Sequence, residues 1–105
     1  MPAPTFTSAG TLAAAASTTV DAAYTLTSGD DLYALISAID IPESTVSSVM
    51  WNTTEAMSLV DFEPGDTVRP AYLYRLAGGT SGTHNVTVTA SGSPISLEAI
   101  AFGYS

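Results

Sequence analysis

Apolar and hydroxyl side chains alternate through Gly82-Thr-His-Asn-Val-Thr-Val-Thr-Ala-Ser-Gly92. In an extended chain successive side chains point to opposite faces, so Val86, Val88 and Ala90 are predicted to enter a core while Asn85, Thr87 and Thr89 meet water. The same period of two governs residues 67–76, with Val68, Tyr72, Tyr74 and Leu76 on one face and Arg69, Ala71, Leu73 and Arg75 on the other. Residues 2–10 read as a short edge strand, since their prolines are tolerated where no ladder donor is needed. The alanine-rich residues 12–16 read as a connection into a strand running through Tyr24.

Residues 32–41 admit two readings. Leu32, Leu35, Ile36 and Ile39 follow helical spacing, and Ser28, Asp30 and Asp31 could cap such a helix. The other reading is a strand apolar on both faces, ending at Ile41-Pro42. The strand is preferred, because its neighbours are extended and a lone helix would need a groove to fill. Residues 46–52 and 56–62 flank Thr53-Thr54-Glu55, which suits a hairpin loop. Ser28-Gly-Asp-Asp31, Glu63-Pro-Gly-Asp66, Ala77-Gly-Gly-Thr-Ser-Gly82 and Ser91-Gly-Ser-Pro94 supply the turns. Residues 95–104 form the last strand, apolar on both sides towards its end. The expected fold is an all-β antiparallel sandwich of about eight short strands, jelly-roll-like, with residues 1–105 as a single domain.

Composition narrows the function. Ten carboxylates face two arginines and no lysine, for a net charge of −8. Nucleic acid is bound through cations that displace phosphate counterions, and an anionic membrane surface would repel this chain, so neither is an expected partner. With no cysteine, disulfides and thiolate metal sites are excluded. No basic n-region precedes an apolar stretch at the N-terminus, so synthesis and use without classical secretion are expected. Charged residues make up only 11% of the chain. A surface so poor in charge is open to permanent contacts, and an oligomer is expected.

Candidate chemistry is sparse. His84 is the only histidine, and no Gly-x-Ser-x-Gly elbow accompanies it, so it reads as a residue near the start of a strand. Asp61, Glu63 and Asp66, with Asp30 and Asp31, could offer oxygen ligands to calcium. The twelfth position of such a loop is Tyr72 rather than an acid, and the acids read as solvated turns. Paired carboxylates alone do not make a glycosidase. No catalytic residue, metal or cofactor is therefore expected. Trp51, with the five tyrosines, could stack sugar rings, or could anchor a core or an interface. Arg69 and Arg75 share one strand face with Leu73 between them. They could pair with a carboxylate such as Glu98 across strands, or meet an acidic patch on a partner. The candidate partner contacts are Arg69, Leu73, Arg75 and Trp51.

Several segments together resemble a family of small β-sandwich proteins and modules of tailed bacteriophages. The likeness runs through Pro4-Thr-Phe-Thr-Ser-Ala-Gly10, Gly29-Asp30, Ser48-Val-Met-Trp-Asn52, Ala56-Met-Ser-Leu-Val60 and Ala71-Tyr-Leu-Tyr-Arg75. It continues in Gly82-Thr-His-Asn-Val-Thr-Val-Thr89 and Glu98-Ala-Ile-Ala-Phe-Gly-Tyr104. It implies a non-enzymatic virion protein made in the host cytoplasm: a decoration or cement protein on the capsid surface, touching the major capsid protein and forming a homotrimer. The alternative it implies is part of a head or tail fibre, and the aromatic residues and hydroxyl-rich surface would make that part a receptor- or glycan-binding module. Thr53-Thr54-Glu55 departs from the family, whose members tend to carry a glycine turn there.

Overall fold

The structure, a computed structural model, describes residues 5–15, 18–39, 45–63, 71–91 and 96–105. In chain order its strands are β1 (Phe6–Ala9), β2 (Ala13–Ala15), β3 (Thr19–Leu26), β4 (Asp31–Ile39), β5 (Thr45–Trp51), β6 (Glu55–Ala56), β7 (Ser58–Glu63), β8 (Ala71–Leu76), β9 (Gly82–Ser91) and β10 (Ser96–Tyr104). They form two antiparallel sheets. The larger runs β1-β10-β4-β8-β7, with β2 also paired to β10; the smaller runs β3-β9-β5-β6.

Local pattern explains why these segments are strands. In β3 every second residue is buried, from Val20 through Ala22 and Tyr24 to Leu26. In β9, Val86, Val88 and Ala90 are buried and Asn85 is exposed, as the alternation predicts. Residues 32–39 are strand, not helix. Leu32, Ala34, Ile36 and Ala38 line the core, and residues 33, 35 and 37 lie on the outer side. The helical spacing of Leu32, Leu35 and Ile36 was therefore coincidental with two faces both being apolar.

The core lies between the sheets. The inner faces of β4 and β10 are rich in alanine, with Ala34, Ala38, Ala99 and Ala101 all fully buried. Small side chains there leave room for larger buried ones from the other sheet, Trp51, Val49, Val86 and Val88. Each such large residue removed from water contributes roughly 1.5–3 kcal/mol.

Three expectations need correction. The alanine-rich residues 12–16 are more than a connection, because β2 pairs with β10 through Ala13↔Ala99 and Glu98↔Ala14. The hairpin turn begins one residue earlier than expected, at Asn52, with positive φ at Asn52 and Thr53. Residues 56–62 are not one strand. The chain leaves the smaller sheet after β6 and enters the larger one at β7, with Met57 buried at the corner and its N–H bonded to the Val49 carbonyl. An apolar residue that sits in the core while the chain changes sheets looks, by pattern alone, like one more strand position. Residues 64–66 of the Glu63-Pro-Gly-Asp66 turn, most of Ser91-Gly-Ser-Pro94 and the prolines of the first strand lie outside the described residues.

Candidate interaction surface

The two sheets present opposite characters to solvent. On the smaller sheet most outward side chains are polar, hydroxyls above all, with Ala23 and Met50 set among them, and several bond across strands. The Thr25 and Thr83 hydroxyls lie 2.8 Å apart, and the Thr87 hydroxyl donates to Asp21 Oδ1 at 2.7 Å. Ser47, extra in the bulge of β5, donates its hydroxyl to the Thr89 carbonyl at 2.9 Å.

The centre of the outer face of the larger sheet is apolar. Register places Ile100, Leu35 and Leu73 in one row across β10, β4 and β8. The next row holds Phe102, Tyr33 and Arg75, and the row on the other side holds Glu98, Ser37 and Ala71. Tyr33 stacks on Phe102 with centroids 5.5 Å apart and planes within 12°. Tyr104 packs edge-on against Tyr33, Phe102 and Phe6. Leu35 is 48% exposed at the middle of this face and Phe6 is 52% exposed at its margin. Beyond β8, register turns Ser58 and Asp61 of the edge strand β7 to this face, while Leu59 and Phe62 are exposed on its other side beside Tyr74 and Tyr72, and a register shift between Leu59 and Asp61 bends the edge. Interfaces have this anatomy: an aromatic and aliphatic centre poor in charge, with ionic groups at the rim.

The rim is ionic. Arg75 Nη2 and Nε donate to Asp31 Oδ2 at 2.5 and 3.2 Å, the single ion pair among the described residues. Hydrogen bonding to Asp31, and then its charge, holds the guanidinium still further above its ordinary value, so it stays a cation at every accessible pH. Arg75 therefore pairs across strands with Asp31 rather than Glu98, which sits two register rows away on β10. On the inner face of β8, burial and then the neighbouring Tyr72 push the Tyr74 phenol above its ordinary value, so it is uncharged at neutral pH.

Of the residues singled out from the sequence, Leu73 and Arg75 lie on this face and Arg69 lies outside the described residues. Trp51 is corrected: it is fully buried, and its indole N–H donates to the Thr80 carbonyl at 2.8 Å. A ring sealed in the core offers no face to a partner or a sugar. Its role is local architecture. His84 packs edge-on against it at 5.3 Å, and the adjacent loop is tied down by Glu55, whose Oε1 accepts the Thr80 N–H at 2.9 Å. Hydrogen bonds from Thr80 hold the Glu55 carboxyl below its usual range.

Leu35, Ile100 and Phe102, which line this face, were not singled out from the sequence, and Tyr33 and Tyr104 only among the five tyrosines, although 32–41 and 95–104 read as apolar on both sides. The signal lay in combining the two segments, because β4 and β10 pair along their whole lengths. Asp30, the buried carboxylate, accepts the Thr7 hydroxyl at 2.5 Å and so belongs to the fold. Among the described residues no cluster of three or more acidic or histidine side chains could hold a metal. No described helix is long and apolar enough to cross a membrane. A shallow groove between β1 and β3 is lined by Ser8, Gly10, Tyr24, Thr25 and Thr83. Comparison with protein-family models, curated proteins and solved structures finds no match to this chain.

Proposed function

We propose that this chain is a non-enzymatic virion protein, a decoration protein that assembles with copies of itself on a bacteriophage head and braces the shell. The observation that carries the reading is the outer face of the larger sheet, where an exposed Leu35 and the partly exposed Leu73, Ile100 and aromatic cluster lie side by side across paired strands. Contiguous apolar surface on a small acidic chain is a contact surface. The resemblance to phage sandwich proteins supplies the setting.

A jelly-roll winding is part of the same proposal. Its support is nested pairing: β2 with β10, β3 with β9, β4 with β8 and β5 with β6. One long hairpin rolled over on itself gives that order, with β7 added at the edge.

The test is to purify virions from the host carrying this gene, find the chain in them by mass spectrometry, and reconstruct them by cryo-electron microscopy. Density for the sandwich on the outer shell, lost from particles lacking the gene together with some of their heat resistance, is expected. Absence of the chain from virions overturns the reading. A second reading, glycan binding, is favoured by the ring cluster of Phe6, Tyr33, Phe102 and Tyr104 in place of Trp51. Sugar-array binding abolished by Tyr104→Ala would select it, and a silent array removes it.

A further inference from the structure

We propose that the outer face of the larger sheet is the contact between two copies of this chain, packed face to face about a two-fold axis with their strands crossed near a right angle. This deepens the self-assembly half of the proposed function and rests on that half alone. It replaces the three-fold assembly implied by the family likeness with a two-fold one.

Charge placement selects the geometry. With Leu35 as origin, Arg75 lies one strand towards β8 and one row towards Tyr33, whereas Glu98 lies one strand towards β10 and one row the other way. These two charges occupy opposite corners of the central patch, whose middle row is Ile100, Leu35 and Leu73; Asp31, one row beyond Tyr33, and Asp61, beside Leu73 on β7, flank it on the same face. A two-fold axis in the contact plane can run along either diagonal, along the strands, or across them. Along the strands it sets Arg75 over Phe102 of the second copy, and across them over Ala71. Along the Arg75–Glu98 diagonal it sets each charge over its own duplicate, which is repulsive.

Along the remaining diagonal, through Phe102, Leu35 and Ala71, it sets Arg75 over Glu98 of the second copy, and Glu98 over Arg75. That rotation also lays Ile100 over Tyr33 of the second copy. It turns strand direction by a quarter circle, one of the two angles at which sheets ordinarily pack. Strands lie about 4.8 Å apart and alternate residues about 6.7 Å, a mismatch that side chains as long as Arg and Glu span. Asp31 takes two of the five donors of the guanidinium, so a second carboxylate can be served. Glu98 has no cationic partner among the described residues of its own chain.

The area is adequate for a modest contact. Five strands by seven residues measure about 19 by 20 Å. Side-chain relief raises the accessible area above that plan, towards the ~600 Å² a side at which smaller specific interfaces begin. The assembly is therefore expected to depend on concentration.

Sedimentation equilibrium of the full chain over a concentration series tests this. A monomer–dimer equilibrium is expected. Leu35→Asp should give a monomer with unchanged far-ultraviolet circular dichroism, since Leu35 lies outside the core. Arg75→Glu and Glu98→Arg should each weaken the dimer about tenfold or more, and the two together should recover most of that loss. A wild-type monomer at every concentration, a trimer, a Leu35→Asp dimer, or a double variant no tighter than the singles would each overturn the proposal. Dimers in solution from a chain that is absent from virions keep this inference and remove the shell; virion attachment by a monomer does the reverse.

Discussion

Gly103 lies on the inner face of β10 beneath the Tyr24 ring, and a Cβ there would come within 2.5 Å of the Tyr24 hydroxyl. That hydroxyl donates to the Ser8 carbonyl and ties β1 to the second layer. Gly103→Ala should cost about 1–3 kcal/mol by urea unfolding, and Tyr24→Phe in the same chain should recover part of it, a non-additive pair. Thr53 poses the opposite case. It holds φ at 62°, which is unfavourable for a β-branched residue, and Thr53→Gly should raise stability by about 1 kcal/mol in the same assay. Glu55 makes stability depend on acid. Its folded carboxyl is held low by Thr80, so its contribution is whole above the ordinary glutamate value and is lost as pH falls through the lower folded value. Thermal midpoints of wild type and Glu55→Gln should converge as pH drops through that window and stay apart above it.

Two neighbours on β4 separate core from surface. Ile36 is fully buried and Leu35 is half exposed on the other side of the sheet. Ile36→Ala should cost about 2–5 kcal/mol by chemical denaturation of the isolated chain, whereas Leu35→Ala should change it by about 0.5 kcal/mol or less. Equal costs would mean that the two faces are not distinct. This division was legible in the order of residues, because a strand apolar on both sides has a second face to cover. The helical spacing in the same segment shows the limit of pattern: Leu32, Leu35 and Ile36 satisfy both periods, and only pairing with β10 and β8 excludes the helix. The β6-to-β7 crossing was illegible, since Met57 is apolar whether the chain continues or changes sheets.

Nested pairing makes the molecule a non-local fold. β2 meets β10 and β3 meets β9 across most of the chain, so long loops close before most native contacts form. Refolding by stopped-flow fluorescence of Trp51 is expected in milliseconds to seconds, and a microsecond phase carrying the full amplitude would contradict it. The sheets also differ in character, one outer face rich in hydroxyls and the other apolar around Leu35.

Strand faces and the all-β class were set by the residues in order, because a period of two needs no knowledge of neighbours. Which strands lie side by side, that Trp51 faces inward, and that Arg75 meets Asp31 rather than Glu98 came only with the folded chain. Those outcomes depend on register between segments far apart in the chain, and a shift of two residues would preserve every face while changing every partner.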